Sequence, residues 1–443
     1  MSENLTARLA GLICHSQPDD RARDKARAGL LDFTAVTLPL LRNEIADSGW
    51  RQLQKLYPQQ DSETRALRLG YAGHALDFDD FHADFRGHVG TVILPALLAL
   101  AAERPVSARN FLDAWIIGVE TAGRLGLAIS QQHYQRGFHN TATLGTLAAT
   151  AAAARLLNVT TSQTAVALGI AATSASGLRA QFGSAVKPLH AGLAARSAVM
   201  ALRLAQTDFG GQASGVIEAF LAACGGESSD ESLLLHNWGQ PWRIVTPGLE
   251  FKPYATCSGT HSAADAALIL RQRWLEEGRQ PPEFFTAIAH IEVAFPPGGD
   301  TAASVREPRS GIEARFSLEY VIACALLRGE LTLADFAEGG VEPETAKLAA
   351  KVRRCPDESA PPDAINPSAR FHEVALCFAD RPAWRCRVTR QQSIATPPDP
   401  VAKLRGCLPS ASAEERQRIE QLCQLREDDA LSQLLGLFIK PAE

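Results

Sequence analysis

The sequence predicts a mainly α protein: a large all-helical domain, completed by the last helices of the chain, with a smaller α+β domain between them. Three observations carry this. Apolar residues recur at helical spacing from about residue 23 to 204. Period-two alternation appears only beyond residue 265, in IAHIEVAF (288–295) and HEVALCFA (372–379). Helical spacing then returns in PDPVAKLRGCL and SAEERQRIEQLCQL. The expected boundaries are 1–264 plus 400–443 for the helical domain and 265–399 for the smaller one.

Taken in order, helical spacing runs through Arg23–Leu41, Glu63–Ala75, Pro95–Ala102, Ala108–Ile129, Thr143–Leu157, Ser162–Ala175 and His190–Leu204. Ser107 and Thr161 stand where a hydroxyl caps the first turn of the helix that follows. The Ala- and Gly-rich stretch 141–205 reads as helices packed at close range. Further on, RFSLEYVIACALLRG (315–329) and ETAKLAAKVRR (344–354) read as helices of the smaller domain. WRCRVTR (384–390) is a weaker strand, and 354–370 a proline-rich loop.

The chain has 443 residues, 46% apolar and 21% charged, which excludes disorder as its main state and gives ample core. A formal net charge of -5 argues against nucleic acid or an anionic membrane surface as partner. No run of 18 apolar residues occurs, and the first residues lack the basic start and apolar core of a secretory signal. Cytoplasmic residence is the expectation. The nine cysteines are scattered and form no CxxC, which disfavours a disulfide framework and a zinc knuckle alike.

Four places hold chemistry-bearing residues. GHALDFDDFHADFRGHVGT (73–91) gathers His74, His82 and His88 with Asp77, Asp79, Asp80 and Asp84. A solvated connection between helices, an acid–base site and a metal site all fit that composition, although no recognised metal spacing is present. His139 precedes a small-residue helix whose start lowers an imidazole pKa and offers free N–H groups to an anion. In a chain of 36 arginines and only eight lysines, Lys187 and Lys252 each precede proline in apolar surroundings. An ammonium there either pairs with an anion or covers apolar surface with its stem while its head reaches water. Lys440 also precedes proline, so the dipeptide by itself decides nothing. No GxSxG elbow, Walker loop or post-strand GxGxxG is present. Residue types and spacing thus reach a helical protein with a His/Asp/Lys site suited to small anions.

The strings GHALDFDD, GFHNTATLGTLAATAAAA, KPLHAGLAA, FKPYATCSGTH and ARFSLEYV, in that order over residues 25–400, resemble the MmgE/PrpD family. Its members include 2-methylcitrate dehydratase, cis-aconitate decarboxylase and iminodisuccinate epimerase. The resemblance implies a helical domain, an α+β lid, a homodimer, and catalysis in the interdomain cleft without metal or organic cofactor. It places catalytic roles on Asp77, His88, His139, Lys187 and Lys252, with Lys187, Lys252, Cys257 and His82 as substrate-binding candidates. Two departures stand out from the decarboxylase pattern: Phe81 in place of a threonine and Cys257 in place of a histidine. The implied chemistry is removal of a proton next to a carboxylate of a small di- or tricarboxylate. A hydro-lyase comes first, an epimerase second, and a decarboxylase or a non-catalytic polycarboxylate binder after them.

Overall fold

In the computed structural model, which describes residues 4–439, two large apolar cores form beside a third, minor cluster around Trp50, Leu67 and Tyr71; Lys440 and the rest of 440–443 lie outside the described residues. The larger core runs from Leu9 to Ile244 and is rejoined by Leu404, Leu408, Ile419, Leu422 and Leu434 from the C-terminal helices. The smaller gathers residues between Ala263 and Val388. Among the described residues no helix is long and apolar enough to cross a membrane.

The helical part is organised around Asn140–Leu156, whose every residue except Arg155 is buried. An all-round apolar or small surface requires neighbours on every side, and the flanking helices Gly90–Ala101, Ala108–Gln135 and Val186–Gln206 supply them. Glycine permits the closest approach. A Cβ built on Gly192 would lie 2.3 Å from the carbonyl oxygen of Leu67, and one on Gly70 would lie 2.7 Å from Gly192 Cα. Helices Ser62–His74 and Val186–Gln206 therefore cross backbone to backbone.

Helix starts follow local chemistry. Ser107 accepts the Asn110 N–H as expected. The cap of the helix Thr161–Ser174 is Thr160 rather than Thr161, because Gln163 closes a capping box with it. Helix Gly90–Ala101 begins five residues before the expected Pro95, with Pro95 inside it. The expected end at Ile129 corresponds to a break at Ser130 (φ 68°), after which helix resumes to Gln135.

The smaller part has a four-stranded sheet in the order β2–β1–β3–β4: β1 (Ile288–Phe295), β2 (Val352–Pro356), β3 (Phe371–Phe378) and β4 (Trp384–Thr389). The β1–β2 pair is parallel and the other two are antiparallel. Ile291, Val293, Val374 and Leu376 face helices His261–Glu276 and Leu318–Arg328, whereas His290 and Glu292 face outward. β2 corrects the expected helix over 344–354: helix Pro343–Ala349 stops and Val352 enters register opposite Ile291. Five residues of strand form here because pairing with β1 satisfies backbone groups that the short helix leaves free.

Candidate active site

The polar segment 75–89 connects helices Ser62–His74 and Gly90–Ala101. It turns inward because Asp77 takes a left-handed backbone (φ 50°), a conformation that Asp and Asn tolerate better than most residues. Phe81 then exchanges both backbone hydrogen bonds with Glu250 at 2.8 Å. That bridge brings Lys252, two residues on, beneath the same loop. Lys187 arrives on the first turn of the helix that packs against Ser62–His74.

The result is a three-residue ion cluster. Asp77 Oδ1 accepts Lys187 Nζ at 2.7 Å and Lys252 Nζ at 2.8 Å, from partners 110 and 175 residues away. Lys252 also donates to the Asp77 carbonyl at 2.7 Å. All three side chains are buried, so neither lysine sends its head to bulk water. Burial alone would raise the Asp77 pKa, but the two ammoniums outweigh it and hold the carboxyl well below its usual range. Burial likewise opposes the charge on Lys252, and Asp77 with Asp79 overcomes it to raise the pKa. Arg315, buried behind the loop, donates to the Ala75 carbonyl and fixes its path.

Imidazoles surround this cluster. His88 Nδ1 lies 2.7 Å from the Asp80 carbonyl, an acceptor only, so Nδ1 carries the proton and the Nε2 lone pair is free. His74 Nδ1 donates to Asp79 at 2.8 Å, and its ring centre lies 4.7 Å from that of His88. His139 is the N-cap of Asn140–Leu156, and its Nδ1 meets His190 Nδ1 at 3.1 Å. Burial first, then the positive lysines and neighbouring rings, pushes the His88 and His139 pKa values well below the ordinary imidazole value. Burial also lowers His190, to about 4. The resting site therefore holds neutral imidazoles beside two ammoniums and two carboxylates, Asp77 and Asp79.

Asp77, His88, His139, Lys187, Lys252 and Cys257 all line one cleft of about 560 Å³, roughly the size that holds a small-molecule ligand. Burial, followed by Asp77, raises the Cys257 thiol pKa, which keeps it protonated and a poor nucleophile. His74, Asp77 and His88 also present ligand atoms within 4.8 Å of one another, a spacing compatible with a metal ion. The donor set fits a divalent cation poorly, since two ammoniums already occupy Asp77 Oδ1 and would repel a further positive charge.

Two family models cover most of the chain: the MmgE/PrpD N-terminal domain matches residues 3–229, and the MmgE/PrpD C-terminal domain matches 254–426. The chain belongs to the MmgE/PrpD family. Among its relatives are cis-aconitate decarboxylases. The human protein is 30% identical over 321 residues, 70% of this chain and 64% of that protein. The Aspergillus terreus (strain NIH 2624 / FGSC A1156) protein is 29% identical over 323 residues, 68% of this chain and 64% of that protein. The Mus musculus protein is 30% identical over 324 residues, 70% and 64% respectively. The chain spans about 64% of the length of these relatives.

Within this MmgE/PrpD fold, one of the expected site residues is elsewhere. His82 is fully buried outside the cleft, with Nε2 3.0 Å from the Arg243 carbonyl and Nδ1 accepting the Phe85 N–H at 3.3 Å. Its ring ties the loop to the segment before Lys252 and offers nothing to a ligand. Phe81 lines the cleft with its ring 5.9 Å from that of His88, an apolar wall where the decarboxylase pattern has a hydroxyl. Sequence reasoning missed His190 and the roles of His74 and Asp79. Only the four-residue helical step from Gly70 and the KPLH block place those rings against the site.

Proposed function

We propose that the chain is a cofactor-independent lyase that ionises a C–H bond next to a carboxylate of a small di- or tricarboxylic acid. One observation carries the reading: two lysines far apart in the chain, Lys187 on the first turn of a helix and Lys252 in the segment after the Phe81–Glu250 bridge, share a single buried carboxylate oxygen at the floor of a cleft, beside imidazoles that are neutral at rest. An ammonium has three donors. Lys187 uses one on Asp77 and keeps two, while Lys252 uses two and keeps one. Three N–H groups thus remain for substrate oxygens, in a buried setting where they act strongly on developing negative charge.

His88 is the base in this reading. Its free Nε2 takes the α-proton, and the C–H electron pair moves into the carboxylate as an enediolate held by the lysine N–H groups. In a dehydration, the enediolate pair then expels the β-hydroxyl, which leaves as water with the proton returned by the His88 imidazolium. The depressed pKa makes that imidazolium a strong acid for the second step. His139, itself neutral, is a poor acid at rest, because donating its single proton would leave an imidazolate. Its role is to place an N–H or lone pair against the bound acid through its contact with His190. Acid–base catalysis of this kind contributes roughly 10²–10⁴-fold.

Elimination of a β-hydroxyl is the first reading. Loss of CO₂ is the second, favoured by the cis-aconitate decarboxylases among the relatives and opposed by Phe81 and Cys257 at two positions of their pattern. Proton NMR in D₂O over a panel of di- and tricarboxylic acids tests both. New vinylic signals without released CO₂ support elimination, and vinylic signals with CO₂ support decarboxylation. Deuterium exchange at an sp³ carbon without net reaction would point to epimerisation instead. Neither exchange nor turnover with any member of the panel would overturn the proposal.

A further inference from the structure

The cleft extends beyond the lysine–aspartate cluster, and four arginines line it: Arg86, Arg179, Arg370 and Arg390. Three are already engaged. Arg86 donates to the carbonyls of Gly126 and Ser130 at 2.9 and 3.1 Å. Arg370 is bidentate on Asp363 at 2.6 and 2.5 Å, and Arg390 grips both oxygens of Glu250 at 2.6 and 2.5 Å. Arg179 differs. Among the described residues no carboxylate lies within ion-pair distance of it, and its Nε is buried with no hydrogen-bond partner.

Arg179 is nonetheless held in place. It begins the short turn Arg179–Gln181, its backbone N–H bonds the Gly137 carbonyl at 2.8 Å, and its guanidinium carbon lies 4.1 Å from the Tyr134 ring centre. The Tyr134 ring holds the guanidinium by a cation–π contact and its hydroxyl takes a hydrogen bond from it, which anchors Arg179 without any carboxylate partner and leaves N–H groups of the fork for an anion. The same segment continues to Phe182, whose ring packs on His139 at 5.0 Å and lies 5.3 Å from Lys187 Nζ. Arg179 is thus coupled by one stretch of chain to the reacting end of the cleft without reaching its ammoniums.

We propose that Arg179, held against the Tyr134 ring, receives the third carboxylate of a bound acid, the one that a dicarboxylic acid lacks, and makes the cleft selective for tricarboxylic over dicarboxylic acids. This rests on the polycarboxylate reading above and narrows it. A charged hydrogen-bonding pair of this kind is worth about 10–100-fold in affinity.

The test is calorimetric binding of two unreactive probes, tricarballylate and glutarate, which share a five-carbon chain and differ by the central carboxylate. The wild-type protein is expected to prefer tricarballylate by about 10–100-fold. Arg179→Gln should reduce tricarballylate binding to the glutarate level and leave glutarate unchanged. Arg179→Lys should restore part of the preference, since a point charge replaces the fork. Lys187→Met should weaken both probes. If Arg179→Gln, with an unchanged circular dichroism spectrum, keeps the triacid preference while Lys187→Met loses binding, the Arg179 proposal alone is overturned. If the wild type binds neither probe, the polycarboxylate reading falls and takes this inference with it.

Discussion

Acidification should destabilise this protein steeply between pH 6.5 and 5, and two histidines of the smaller core allow the size to be worked out. His261 donates toward the Thr256 carbonyl at 3.2 Å, and His372 meets Ser262 Oγ at 2.7 Å. Burial pushes both pKa values from 6.5 to about 3. Between those values the unfolded chain binds a proton at each position that the folded chain does not, so stability rises with pH across the window and is lost as pH falls below 6.5. At pH 5 each ring costs about 2 kcal/mol, and the pair about 4 kcal/mol, of a stability that is ordinarily about 5–15 kcal/mol. His88, His139 and His74 shift in the same direction and add to the loss. Asp80 and Asp32, whose carboxyls are raised by burial first and, at Asp80, then by Asp79, act in the opposite sense. Single-site variants separate these contributions. Urea unfolding from pH 7.5 to 5 should show His372→Asn reducing the proton uptake on unfolding by about one at pH 5. An unchanged proton uptake in that variant would refute the buried-neutral assignment.

Three further outcomes follow from the geometry of the site and of the helices that carry it. Lys187→Met and Lys252→Met should each lower kcat/KM by about 10²–10³-fold, and the double variant should fall short of the product because both ammoniums share Asp77 Oδ1; steady-state kinetics on the acid identified by NMR reads this directly. Exhaustive chelation should leave turnover intact, and loss of activity restored by zinc or iron would instead assign His74, Asp77 and His88 to a metal. Gly192→Ala should destabilise by about 1–3 kcal/mol and lower activity, because a methyl 2.3 Å from the Leu67 carbonyl forces apart the helices that carry His74 and Lys187; thermal unfolding and kcat would move together.

Much of the architecture is legible along the chain because its signals are local. The helix starting after Ser107 has its cap and its apolar spacing written within a few residues, and β1 and β3 show the alternation of strands with one covered face. β2 does not. VRRCP follows a helix-like run, and only the exposed edge of β1 turns it into a strand. The site shows the same division. That Lys187 and Lys252 are scarce ammoniums in apolar surroundings is visible in the sequence, but two outcomes, pairing or reaching water, fit those surroundings equally well.

The amino-acid order by itself determined the helical and α+β division, the chemical types available, and the family to which they belong. Tertiary structure decided which polar groups of the segment 73–91 face the cleft: Asp77, Asp84, Arg86 and His88 do, while His82 is turned into the interior by the Arg243 carbonyl. It also decided protonation, since an imidazole carries no record of its surroundings until burial strips it of water. The physical reason is range: periodicity and capping act over one or two turns, whereas desolvation and ion pairing depend on neighbours that the chain delivers from more than a hundred residues away.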